Sequence, residues 1–209
     1  TNNRNGEQIT EMYDMHQNGA IAFSDDKRSI ANANLMKIAL LYAKNFDGLI
    51  MSYSSEAKTT DKGQMHEGPT STKMGLKGIP ALAEELQLIR DLQLCEYTEG
   101  KIHFSTISTA TSVNLIREAK AKGLNISADT SSYHLLLDDT KLESFNSNLK
   151  VKPPLRSTKD IEALKLGLKD GTLDAICSDH YPQNIENKKC EFNIADFGMI
   201  NLETSFAVA

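Results

Sequence analysis

The chain of 209 residues contains no tryptophan, only three cysteines and only five prolines. Cys95, Cys177 and Cys190 are odd in number, widely spaced and form no CxxC pair. They therefore read as reduced thiols, not as a disulfide framework or a thiolate metal cluster. No HxH pair occurs, so the chain alone offers no dense metal-ligand cluster. No GxGxxG or phosphate-binding loop follows the first strand-like segment, which argues against a nucleotide-binding sheet. No long Lys/Arg block is present, Asn187–Lys189 being the densest, and the net charge is −5. A nucleic-acid partner is not expected, because neutralising phosphates needs a clustered basic surface. No apolar run approaches the roughly 20 residues that span a bilayer, so no membrane partner is expected. The opening TNNRNGEQ is polar, unlike a signal peptide, and a cytoplasmic location is expected. Internal repeats and low-complexity stretches are also missing.

What remains is ordinary for a globular chain: 40% hydrophobic and 24% charged residues, enough for one domain with a sizeable core. Short apolar runs alternate with helix-period segments. Strands are expected at 19–24, 48–53, 101–108, 124–131 and 173–179. Helices are expected at 31–45, 78–97, 112–123 and 157–171. Pro80 suits the first turn of the second helix, Gly123 the end of the third, and a Ser or Thr caps the fourth. Residues 54–78, rich in glycine, read as one long loop, and loops of that length are more often functional than not. Strand and helix in alternation imply βαβ units and a parallel sheet. The pattern fits an open doubly wound sheet or part of a (β/α)8 barrel, for which the chain is short of the usual ~250 residues.

Polar residues gather where the strands end: Asp25 and Asp26, Tyr53 and Ser54, Ser105, Thr106, Ser108 and Thr109, Asp129 to Ser132, and Asp179-His180. Parallel α/β folds bind ligands at that edge. Each Ser, Thr or Asp there could equally be a helix cap. Asp179-His180 is the stronger signal, since two titratable groups follow an apolar strand. Of the other histidines, His16 reads as exposed on a helix, and His66 lies in the glycine-rich loop. His103 reads as a core residue with its ring satisfied, and His134 is open to either reading.

Several segments, taken in order, resemble dihydroorotases. AICSDHYPQ at 175–183 resembles TDHAPH, KVKPPLR at 150–156 resembles VNPPLR, and IHFSTISTATSV at 102–113 resembles LHICHVSTKESV. GAIAFSDD at 19–26 resembles GAVAFSDDG, while GQMHEG at 63–68 and FGMINLET at 197–204 look like further segments of the family. The resemblance implies a metal-dependent TIM-type (β/α)8 barrel, here roughly strands three to eight. Residues 1–209 would form a single partial barrel domain, with the first strands and their HxHxR motif, and the C-terminal part, outside it.

The implied activity belongs to pyrimidine biosynthesis: interconversion of dihydroorotate and N-carbamoyl-L-aspartate. Zinc polarises the ring carbonyl and activates water, and an aspartate shuttles the proton. By the same resemblance, Asp26 and Asp179 match metal-binding aspartates, and Asp179 is also the catalytic one. Lys152, Gln183 and His180 fall at substrate-binding positions. Tyr53 and Thr106 stand where the family has metal histidines, Lys152 where it has asparagine, and Gln183 where it has histidine. Neither a phenol nor an alcohol replaces imidazole well as a zinc ligand.

Three functions follow: a dihydroorotase with an altered, one-metal centre; a catalytically silent relative supporting aspartate carbamoyltransferase, or forming a homodimer; or another cyclic amidohydrolase such as an allantoinase or hydantoinase.

Overall fold

The computed structural model describes residues 1–208. In chain order the elements are α1 (Met12–Gln17), β1 (Ala22–Ser24), α2 (Ala33–Lys44), β2 (Leu49–Tyr53), α3 (Ala57–Thr60), β3 (Met65–His66), α4 (Pro69–Met74) and β4 (Gly78–Ile79). There follow α5 (Leu82–Thr98), β5 (Ile102–Ser105), α6 (Ala110–Ala121), β6 (Ile126–Ser131), α7 (Thr158–Lys169), β7 (Ala175–Cys177), α8 (Ile185–Lys188) and α9 (Leu202–Val208). Every expected strand and helix forms; the strands are shorter than expected or equal in extent at one end, α5 runs one residue further and α6 starts two residues earlier.

Five strands make one parallel sheet in the order β1-β2-β5-β6-β7. The count is one fewer than strands three to eight would supply. Strand neighbours follow chain order once the β3–β4 excursion is set aside, as in a barrel wall. Helices α2, α5, α6 and α7 pack side by side along the sheet. Their starts are written locally: Asn32 accepts the amides of Asn34 and Leu35, Thr109 accepts that of Ser112, and Ser157 and Asp160 form a reciprocal capping box.

The pleat divides each strand. Ile50, Ile102, Phe104, Ile126 and Ala128 are buried with Leu40, Leu88, Val113, Ile116 and Leu164 in the main core. The alternate residues Met51, His103, Ser105 and Ser127 face the other way and are half-buried. In a closed barrel that face is the interior.

Residues 54–78 differ from the single long loop expected. They hold α3 and α4, and β3 pairs in parallel with β4. Gly78 permits that pairing, because a Cβ there would lie 2.4 Å from Glu67 Cα. Gly78 and Ile79 are thereby taken as strand, so α5 begins at Leu82 after Ala81, and Pro80 precedes the helix instead of opening it. This excursion carries Met65 into a second, smaller core with Tyr133, Leu142, Val151, Leu155 and Phe192.

Candidate strand-end site

The carboxyl ends of the strands are shaped by unusual backbone. Asp26, Thr106 and Asp179, following β1, β5 and β7, adopt φ of 58°, 58° and 43°. Aspartate tolerates this left-handed region, but a β-branched threonine rarely enters it. Thr106 is held there because its amide donates to Asp129 Oδ1 at 2.7 Å.

At the mouth, Asp179 is the centre. Its Oδ2 accepts from Lys27 Nζ at 2.6 Å and from the Tyr133 hydroxyl. The same ammonium donates to the Lys152 carbonyl at 2.6 Å and lies 5.7 Å from the centre of the Tyr53 ring. Tyr53 and Tyr133 are buried, and burial pushes both phenols well above their ordinary range. Glu84 and Asp179 add to the first shift, and Asp179 to the second. Both therefore stay protonated near neutrality. The Lys152 ammonium is lowered, first by burial and then by Lys27.

Inside the wall a second polar group spans β5, β6 and β7. His103 Nδ1 is 2.8 Å from Ser127 Oγ, and its Nε2 is 2.8 Å from Asp129 Oδ2. His103 is satisfied as expected, but on the interior-facing side and not in the core. The Cys177 thiol is pushed up by burial first and by Asp129 second. All three cysteines are free.

Beneath the mouth, Arg156 donates to Ser108 Oγ, to the Ile79 carbonyl and toward His66 Nδ1, and lies 3.8 Å from Glu84. Glu84 in turn accepts the amides of Ser108 and Thr109. Burial, followed by Arg156, lowers His66. His134 is buried between Ser131 Oγ and the Pro154 carbonyl, and burial lowers it to about 4.

The expected site residues are only partly gathered. Tyr53, Lys152 and Asp179 meet around Lys27. Asp26 stands at the rim, 59% exposed, with Arg4 at 3.5 Å. Thr106 turns into the Asp129 group. His180 Nδ1 accepts the amides of Asn201 and Leu202, at 3.1 and 3.0 Å, and so caps α9. Gln183 donates to the Phe197 carbonyl at 3.0 Å and lines a groove of about 410 Å³ with Leu149, Lys188 and Met199. His16 is half-buried and tilted against Phe46.

Sequence reasoning passed over Lys27, as part of a polar turn, and Tyr133. The signal for Lys27 was present: it follows Ser-Asp-Asp where the family segment has glycine.

These residues do not fit a metal ion. Asp179 is already met by an ammonium and a hydroxyl. Tyr53 is a buried neutral phenol, Thr106 an alcohol, and Asp26 points outward. Among the described residues no group of three or more His, Cys, Asp or Glu is placed to hold one.

Comparison with solved structures defines the class. A D-hydantoinase matches with a TM-score of 0.81 at 22% identity, over 96% of this chain and 48% of that one. The L-hydantoinase (dihydropyrimidinase) of Arthrobacter aurescens matches at 0.80 and 20% identity, over 95% and 47%. At that identity the likeness shows the fold alone: part of a (β/α)8 barrel.

A family model described as dihydro-orotase-like matches residues 1–112. The dihydroorotase of Ruminiclostridium cellulolyticum is 46% identical over 204 residues, 98% of this chain and 48% of its own length. That of Pelotomaculum thermopropionicum is 45% identical over 205 residues, with the same coverage. The chain belongs to the dihydroorotase-like family, and it spans about half the length of these relatives. No helix among the described residues is long and apolar enough to cross a membrane.

Proposed function

We propose that the whole protein acts on dihydroorotate, opening its ring to N-carbamoyl-L-aspartate or closing it again, as a dihydroorotase of pyrimidine biosynthesis in the cytoplasm. The observation that carries this reading is Asp179. A carboxylate stands at the end of the last sheet strand, in left-handed backbone, in a chain nearly half identical to curated dihydroorotases. In this reading residues 1–209 are one part of a barrel completed by further strands and a C-terminal part. Asp179 takes the proton of the attacking water at Oδ and returns it to the ring nitrogen. Lys152, beside it, attracts the substrate carboxylate. Any zinc would be held mainly by residues outside this chain, because those within it do not fit one.

The test is turnover of dihydroorotate by the whole purified protein, with and without added zinc. Turnover that falls by about 100-fold or more in Asp179→Asn supports the reading. No turnover in folded protein overturns it.

A second reading is favoured by the Lys27–Asp179 pair, which occupies the catalytic carboxylate. In it the protein is a silent relative that keeps the fold for assembly, as a homodimer or with aspartate carbamoyltransferase. Nothing in the site favours an allantoinase or hydantoinase.

A further inference from the structure

We propose that Lys27 is the resident cation of the strand-end site, its ammonium taking the place beside Asp179 that a metal ion would otherwise fill. The inference rests on reading Asp179 as the family's strand-end aspartate, but not on turnover.

The contact is specific. Lys27 reaches across 152 positions of sequence, from the turn after β1 to the turn after β7, joining the two outer strands of the sheet. Its side chain is 24% exposed and that of Asp179 is 10% exposed, so the pair is largely withdrawn from water. The ammonium divides its donors between Asp179 Oδ2 and the Lys152 carbonyl, both at 2.6 Å. The Tyr133 hydroxyl donates to the same carboxylate oxygen. A divalent ion approaching that oxygen would meet an ammonium already in contact with it, with the Lys152 ammonium nearby.

The substitutions are mutually consistent. In the segment that otherwise matches Ser-Asp-Asp-Gly, glycine gives way to Lys27, which supplies a cation where no side chain stood. Histidine gives way to Tyr53, whose ring faces the ammonium at 5.7 Å, a geometry that suits a cation over an aromatic face. Histidine also gives way to Thr106, which turns to Asp129 and offers no imidazole. The features that would bind a metal recede at the positions where a fixed positive charge enters. Oriented by Lys27 and Tyr133, Asp179 needs no ion to hold it.

The experiment measures zinc content and melting temperature of the whole protein after equilibration with zinc and removal of the excess. Wild type, Asp179→Asn, Lys27→Met and Lys27→Arg are compared. The inference expects equal zinc content in wild type and Asp179→Asn. It also expects a melting temperature lowered by several degrees in Lys27→Met and largely kept in Lys27→Arg. A loss of about one zinc per chain on Asp179→Asn would overturn it, since the metal would then sit on that carboxylate. So would a melting temperature in Lys27→Met equal to that of wild type. Should Lys27→Met fail to fold while Lys27→Arg folds, the need for a cation at this position stands. Failure to fold in both removes the support. Zinc content and melting temperature report on this cation alone, while dihydroorotate turnover reports on the proposed activity, so the two can fail separately.

Discussion

Glu84 and Arg156, at 3% and 2% side-chain exposure, lie beneath the strand ends, while Lys27 and Asp179, at 24% and 10%, lie at them. The first pair barely touches, at 3.8 Å, yet each partner is tied to backbone and to Ser108 from several sides. It fastens the start of α5, the β5–α6 turn and β4 to the Pro-Pro-Leu-Arg segment, which this chain shares with the family. The second pair is a direct contact at 2.6 Å made by a lysine that the family segment lacks. One pair is part of the scaffold beneath the mouth of this chain. The other sits at the strand ends themselves. Distance alone would rank them in the reverse order. The completeness of the surrounding hydrogen bonds decides, since a buried charge is tolerated only when its remaining donors or acceptors are met.

Removing one partner of the lower pair should have the largest effect. Arg156→Met leaves Glu84 buried without its cation and should destabilise the protein by about 3–5 kcal/mol, read from the denaturant midpoint. A loss under about 1 kcal/mol would mean that the scaffold role belongs elsewhere.

The next effect is one of pH and concerns the buried His134, held between Ser131 Oγ and the Pro154 carbonyl. Its folded pKa, about 4, lies below the unfolded value of about 6.5, so between the two the unfolded chain binds the extra proton. Stability is therefore full above about pH 6.5 and falls as pH drops toward 4, by about 3 kcal/mol in all. His134→Gln should flatten that part of the curve. An unchanged slope would place the acid sensitivity in the carboxylates instead.

The smallest effect is expected at the rim. Arg4 and Asp26 pair at 3.5 Å with side chains 55% and 59% exposed, so Arg4→Ala should change stability by less than about 0.5 kcal/mol. A larger loss would mean that Asp26 is tied into the mouth more firmly than its exposure implies.

The order of strands and helices was legible in the sequence because it depends on short-range periodicity. Ile50, Ile102, Phe104, Ile126 and Ala128 recur at strand spacing, and capping residues mark the starts of α2, α6 and α7. The strand-end placement of Asp26, Tyr53, Thr106 and Asp179 followed from the same periodicity, and the family from segments matched in order. The inner structure of residues 54–78 was not legible, because β3 and β4 are two-residue strands that exist only by pairing with each other around Gly78. Nor was the start of α5, which yields Gly78 and Ile79 to that pairing. His180 and Gln183 illustrate a further limit. Their neighbours along the chain do not reveal that one ring caps α9 and the other side chain reaches Phe197.

By itself, then, the sequence determined the order of strands and helices and which residues stand at the carboxyl edge of the sheet. Only the tertiary structure decided what Asp179 meets. Lys27 and Asp179 are 152 positions apart, and their contact depends on strand order, register and the turn geometry after β1 and β7. A local pattern can assign a residue to a face or an edge, but two side chains meet only where the sheet has brought their strands into place.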